Sequence, residues 1–175
     1  MRYFFIGDTH DGHSKILGIR PFKTVEEQRE TLIKNWNYTV RDDDIVFHMG
    51  DIAFESRPKQ REFLSQLRGH KILLKGNHDT LPDSFYLQYF EEVHNWYVLN
   101  NVDGTIAILT HIPLPYKKLL ELERIFCKPV INVHAHTHNT KDPDLCGDSL
   151  IHPDYYILTS VEAIHYAPIE ISVKV

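Results

Sequence analysis

The sequence is poor in cysteine. Cys127 and Cys146 are the two present in 175 residues, in no C-x-x-C pattern, so no disulfide framework is available and both read as reduced, structural thiols. Long apolar runs are lacking too, and none nears the roughly 20 residues a membrane-spanning helix needs. The opening MRYFFIGDTH has no basic segment leading into an apolar stretch and a cleavage site, which predicts a cytoplasmic protein with no membrane partner. Nor is there a Lys- or Arg-rich run. Lys and Arg total 19 against 24 Asp and Glu, a formal net charge of −5, which counts against bulk attraction to nucleic acid while leaving a local basic patch open. Hydrophobic residues at 42% and charged residues at 25% exclude disordered, collagen-like and coiled-coil chains. Domains usually hold about 100–150 residues, so residues 1–175 are expected to form one domain. What the sequence does have is histidine, 12 in all, crowded near aspartates.

Short runs rich in Val, Ile, Tyr and Phe recur between helical patterns and predict an α/β or α+β layered sheet. Strands are expected at residues 3–6, 45–47, 71–74, 105–109 and 130–133, with weaker ones near Tyr97, at 155–158 and at 167–173. The clearest helix opens at Thr24, with Glu27 three residues on. That is a capping box, in which each side chain satisfies the other residue's backbone N–H, and it places Leu32, Ile33, Trp36 and Val40 on one face. Further helices are expected at 58–67, opened by Pro58, at 116–126, and a short one at 83–90. Residues 139–153 read as a long surface loop. Trp36 and Trp96 are assigned to the core, and the run Asp42-Asp43-Asp44 to a solvated turn.

Five of the apolar runs end in metal-ligand residue types: Gly7-Asp8-Thr9-His10, Gly50-Asp51, Gly76-Asn77-His78-Asp79, Thr110-His111 and Ala135-His136-Thr137-His138. Strand ends place these clusters along one sheet edge, in the crevice where α/β folds bind ligands. Asp-x-His and His-x-His can aim two side chains to one side, since alternate residues of an extended chain share a face. Seven candidates result: Asp8, His10, Asp51, Asn77, His111, His136 and His138. With one carboxylate shared, and Asp51 is central in order, seven groups supply two ions with about four ligands each. Mixed imidazole and carboxylate ligands suit first-row divalent ions. Manganese is the leading occupant, with iron, zinc and nickel as alternatives. Isolated His70, His94, His152 and His165 are assigned to surface or packing, and His13, His48 and His134 to supporting positions.

The order D-x-H, G-D, G-N-H-D, H, then H-x-H resembles the calcineurin-like metallophosphoesterases, and the blocks extend from Asp8 to His138. Asp8-Thr9-His10-Asp11-Gly12-His13, Asn35-Trp36-Asn37 and His48-Met49-Gly50-Asp51 further resemble a subgroup of small bacterial and phage phosphoesterases. The resemblance implies a two-sheet β-sandwich flanked by helices, a dinuclear centre at the strand C-terminal ends, and His78 as the catalytic histidine. One metal would be held by Asp8, His10, Asp51 and His138, and the other by Asp51, Asn77, His111 and His136. Two departures stand out. Ala135 replaces the family's glycine, and Phe54 occupies the place of an aspartate that orients the catalytic histidine in the Ser/Thr phosphatase branch. Asp79 or Glu55 would then have to polarise His78.

These residues imply a phosphomonoester or phosphodiester hydrolase acting on a small phosphorylated compound, nucleotides included. A metal-bridging hydroxide would be the nucleophile and His78 the general acid. The alternatives are a nuclease with the same chemistry, or a non-catalytic metal-binding interaction module of the same fold.

Overall fold

The computed structural model describes residues 2–101, 104–140 and 147–174. Cys146 and the middle of the expected 139–153 loop lie outside them. Two five-stranded sheets form the frame. The first has the order β4-β3-β2-β1-β9, from Glu92–His94, His70–Leu74, Ile45–His48, Tyr3–Ile6 and Ile169–Glu170. The second has the order β10-β5-β6-β7-β8, from Val173–Lys174, Trp96–Asn101, Ile106–Thr110, Val130–His134 and Tyr156–Leu158. Strands β1 to β4 run parallel, as do β6 to β8, with antiparallel partners at the other edges.

The period of two along each strand builds the layers. Phe5, Phe47, Ile72 and Leu74 face Leu99, Ala107, Leu109 and Val133 between the sheets. Their alternates Phe4, Ile6, Val46 and Leu73 point outward against Leu32, Trp36, Phe63 and Leu64. These last belong to helices α1 (Val25–Thr39) and α2 (Arg57–Leu64). On the far face Ile106, Ile108 and Val130 meet Leu119 of α4 (Tyr116–Phe126). The result is the expected sandwich flanked by helices.

Several expectations are corrected. Thr24 caps α1 by accepting from Glu27 N, but the Glu27 carboxylate accepts from Lys23 N instead of returning to Thr24. The run at 167–173 is not one strand: it splits into β9 and β10, one in each sheet. Helix α2 ends at Leu64 and the short α3 is Asp83–Tyr86, both shorter than the apolar pattern suggested. Asp44 is buried, bonded to Arg2 and to the Arg41 backbone, so the acidic run is a solvated turn only at Asp42 and Asp43. Trp36 is in the core, but Trp96 is 63% exposed.

Candidate metal centre

The five polar clusters do converge where β1, β2, β3, β6 and β7 end, but not by extended backbone. Asp8, His10, Asp51, His136 and His138 all have positive φ, between 45° and 70°. This left-handed region is sparsely used by residues with a Cβ and gathers at functional sites. Each chain segment therefore curls as it leaves its strand, and the curl rather than alternation aims the side chains. Gly50 has a φ of +94°, and a Cβ there would lie 2.4 Å from Gly76 N, so the second and third clusters can touch only through glycine. Ala135 is accommodated by its neighbour. A Cβ on Gly7 would stand 2.5 Å from the Ala135 Cβ, so the small residue has moved to the facing strand. His136 keeps its place, its N–H donating to Asp8 Oδ2 over 2.7 Å.

Two groups of ligand atoms result. Asp8, His10 and His138 offer one set within 4.8 Å of one another, and Asp51, His111 and His136 another. Asn77 joins the second, its Oδ1 3.0 Å from His111 Nε2. Asp51 Oδ2 stands between them, 3.7 Å from His10 Nε2 and 3.4 Å from His111 Nε2, as the sharing of this carboxylate requires.

The residues fit a pair of cations. Asp8 Oδ1 and both His10 ring nitrogens are buried without a hydrogen-bond partner, an arrangement proteins avoid unless something else satisfies the group. In the second group the His111 Nδ1–H donates to the Met49 carbonyl over 2.7 Å. That leaves Nε2 with a lone pair, crowded by Asn77 Oδ1, His136 Nδ1 at 3.2 Å and Asp51 Oδ2. Acceptors facing acceptors call for a positive ion. Burial drives His10 down to about 2, with the His138 charge adding to it, so the ring is neutral and able to ligate. Burial also lifts Asp8 to about 6, against His138 and His111. For Asp51 burial pushes upward as well, but the His111 ring, when Nε2 carries a proton, prevails through its hydrogen bond and charge and holds it at about 2, the place a cation would take against the neutral ring.

His78 lies exposed at the rim. Its backbone N–H donates to Asp51 Oδ1 over 2.9 Å, and its ring centroid is 4.6 Å from Phe54 and 5.9 Å from His10. Neither proposed polariser serves it. Both Asp79 oxygens accept backbone N–H groups, from Asp51, Gly76 and Ile52, so Asp79 fixes the loop that carries Asp51. Glu55 pairs with Lys59 and Arg29. The site His78 faces is instead flanked by Phe54, stacked on His13 at 4.0 Å and His10 at 5.0 Å.

Three residues absent from the sequence reading support the Asp8 group. Ser160 donates its hydroxyl to Asp8 Oδ2. Glu162 Oε1 accepts from His138 Nδ1 at 3.2 Å and from Arg20 Nε at 2.7 Å. Arg20 also donates to the Asp8 and Thr9 carbonyls and to Gln28. The Glu162 bond, with Asp8 beyond it, raises the His138 pKa against the lowering by burial. No local pattern marks these residues, because Ser160 and Glu162 follow β8 and reach the centre only through the sheet.

A family model for calcineurin-like phosphoesterases matches residues 1–157, and the chain belongs to that family. Family and geometry together indicate a dinuclear metal site. An uncharacterized protein of Methanocaldococcus jannaschii is 36% identical over 111 residues, covering 61% of this chain and 62% of its own length. The gene 66 protein of Mycobacterium phage L5 is 39% identical over 80 residues, 43% of this chain and 39% of its own length. The chain thus spans less than two thirds of either curated relative. A solved structure of a protein of unknown function from Aquifex aeolicus aligns with a TM-score of 0.74 at 24% identity, covering 97% of this chain and 95% of that one, and shows the same fold. Among the described residues, no helix is long and apolar enough to cross a membrane.

Proposed function

We propose that the chain hydrolyses the phosphoester bond of a small phosphorylated substrate. Two divalent ions, manganese first, would be held by Asp8, His10, His138 and Asp51 on one side and by Asp51, Asn77, His111 and His136 on the other. The observation that carries this reading is Asp51 Oδ2, one oxygen standing within 4 Å of an imidazole from each group. When bound, such ions bring the pKa of water they hold to about 7 and offset charge on a phosphoryl group.

The remaining work falls to side chains. His78 is exposed, tied through its backbone to Asp51, and able to give a proton to a departing ester oxygen or to bond a phosphoryl oxygen. Phe54, His13 and His10 form an aromatic wall that keeps water off one flank. Asp79 holds the Asp51 loop through three backbone N–H groups, so the shared carboxylate is placed before substrate arrives. A net charge of −5 favours a small substrate over a polyanion, whose binding rests on phosphate neutralisation by Lys and Arg.

The test compares stripped and manganese-loaded protein on aryl phosphomonoesters and diesters, with His78→Asn as the blank. Turnover confined to loaded wild-type protein is expected. Two bound ions per chain with no turnover on any ester would replace this reading with that of a non-catalytic module.

A further inference from the structure

The outer face of the second sheet is only half covered. Helix α4 lies over Ile106, Ile108 and Val130 through Leu119, with Val98 of β5 half-buried at the edge of that cluster, and leaves Trp96 exposed beyond it. Between β5 and α4 is a groove of about 440 Å³, walled by Trp96, Val98, Ile108, Leu114, Leu122 and Phe126. The wall is hydrocarbon. Of its three polar members, the Thr110 hydroxyl donates to the Ile112 carbonyl and accepts from Asn132, Lys118 Nζ reaches Glu121, and Asn95 stands at the end beside Trp96.

The groove adjoins a cavity at the candidate metal centre. This second cavity, of about 310 Å³, is lined by Lys75, Asn77 and His111, and Asn95 and Thr110 line both. The register explains why. Trp96 pairs with Thr110, one residue before His111, so the groove mouth opens at the same strand-end edge as the ligands.

We infer that this groove receives the hydrocarbon portion of the substrate's alcohol, an aryl or alkyl group, while the phosphoryl group sits at the Asp51 side of the centre. This rests on the phosphoesterase reading and names its substrate class, a phosphoester of an apolar alcohol. Size and chemistry select this occupant. The groove falls within the roughly 300–1,000 Å³ typical of small-ligand pockets, whereas a stable protein interface buries about 800 Å² per partner. A nucleobase would need hydrogen-bonding groups along its edges, whereas the wall is apolar apart from Lys118 and from Asn95 and Thr110 at the end shared with the second cavity. Trp96 at the mouth offers a flat apolar surface whose one polar atom can stay wet.

The test uses the full chain loaded with manganese. Methylphosphonate, octylphosphonate and 1-naphthylmethylphosphonate are compared as ligands and as inhibitors of aryl phosphate hydrolysis, and the last two distinguish alkyl from aryl preference. Naphthylmethanol, which carries no phosphonate, reads the groove without the metal centre. Because Trp36 is buried, quenching of indole fluorescence reports Trp96, with Trp96→Ala as the silent control. At least one apolar phosphonate is expected to bind roughly tenfold or more tightly than methylphosphonate. Trp96→Ala and Phe126→Ser, both at exposed positions, should reduce that preference, and the oligomeric state should not change when ligand is added. Affinities equal within twofold, a preference unchanged in both variants, or ligand-independent self-association that covers Trp96 would each overturn the inference. Absence of hydrolysis with the preference intact would instead strike the catalytic reading and leave the groove standing.

Discussion

The two ligand groups are built to different plans. Asp8 and His10 are buried, and a charged network of Arg20 and Glu162 stands behind His138. In the other group Asp51 and His111 are equally buried and His136 is half-buried as His138 is, but Asn77 is exposed and a cavity of about 310 Å³ opens onto Asn77 and His111. Support there comes from neutral backbone, the Met49 carbonyl on His111 and the His78 N–H on Asp51. On the proposed reading the contrast is a division of labour: the first group would be braced to retain an ion, and the second open to exchange water for substrate.

Asp51 gives the comparison its harshest test, since it belongs to both halves. Asp51→Asn should remove both ions and abolish turnover, a loss greater than the roughly 10–100-fold that follows removal of a ligand's orienting partner. Elemental analysis showing two ions retained would refute the bridge. His78→Asn should do the opposite, keeping two ions per chain while turnover of an ester with a poor leaving group falls about 10²–10⁴-fold. Unchanged turnover would take His78 out of the chemistry.

Glu162 separates the halves. Glu162→Gln keeps an acceptor for His138 but removes the charge facing Arg20, so one ion per chain should bind about 10–100-fold more weakly while the other is unaffected. Calorimetric titration with manganese resolves the two sites, and equal weakening of both would erase the distinction. Glu162→Ala should also lower stability, by about 3–5 kcal/mol, because Arg20 would be buried without its partner.

The effect that shows only as pH falls concerns His48, buried against Thr9 and Gly50. Its Nε2–H donates to Thr9 and its Nδ1 accepts from Gly50 N, a pattern only the neutral ring satisfies, and burial lowers its pKa to about 3. The unfolded chain protonates this ring near 6.5, so its contribution to stability is present above that pH and is lost as pH falls from 6.5 toward 3. His48→Gln should flatten the decline of Tm across that window, by up to one proton, or about 1.4 kcal/mol per pH unit. An unaltered slope would mean the ring is not held neutral.

Much of this was legible in the sequence, for physical reasons that differ by residue. Strands such as Tyr3–Ile6 and Val130–His134 announce themselves because burial on both faces demands continuous apolar runs. The seven candidate ligands show because each follows the end of such a run. Asp79 reads differently in the structure, since a carboxylate beside a candidate catalytic histidine looks like its partner until the backbone donors around it are seen. Ser160, Glu162 and Arg20 could not be read at all: their roles depend on which segments the sheets bring together, and nothing local encodes that. Trp96 was misplaced because an aromatic in a strand reads as core unless the layer above it is known to be missing.

The left-handed curl at Asp8, His10, Asp51, His136 and His138 has a consequence for how such centres can be found. Asparagine or glycine would take up those torsions more readily than histidine, so five bulky acceptors sharing them is an anomaly visible in main-chain angles alone. Among the described residues nine non-glycine residues share that corner of torsion space, and five of them meet here, so a search for such residues clustered in space, ignoring their order, would rank this spot above the pair His165 and Tyr166.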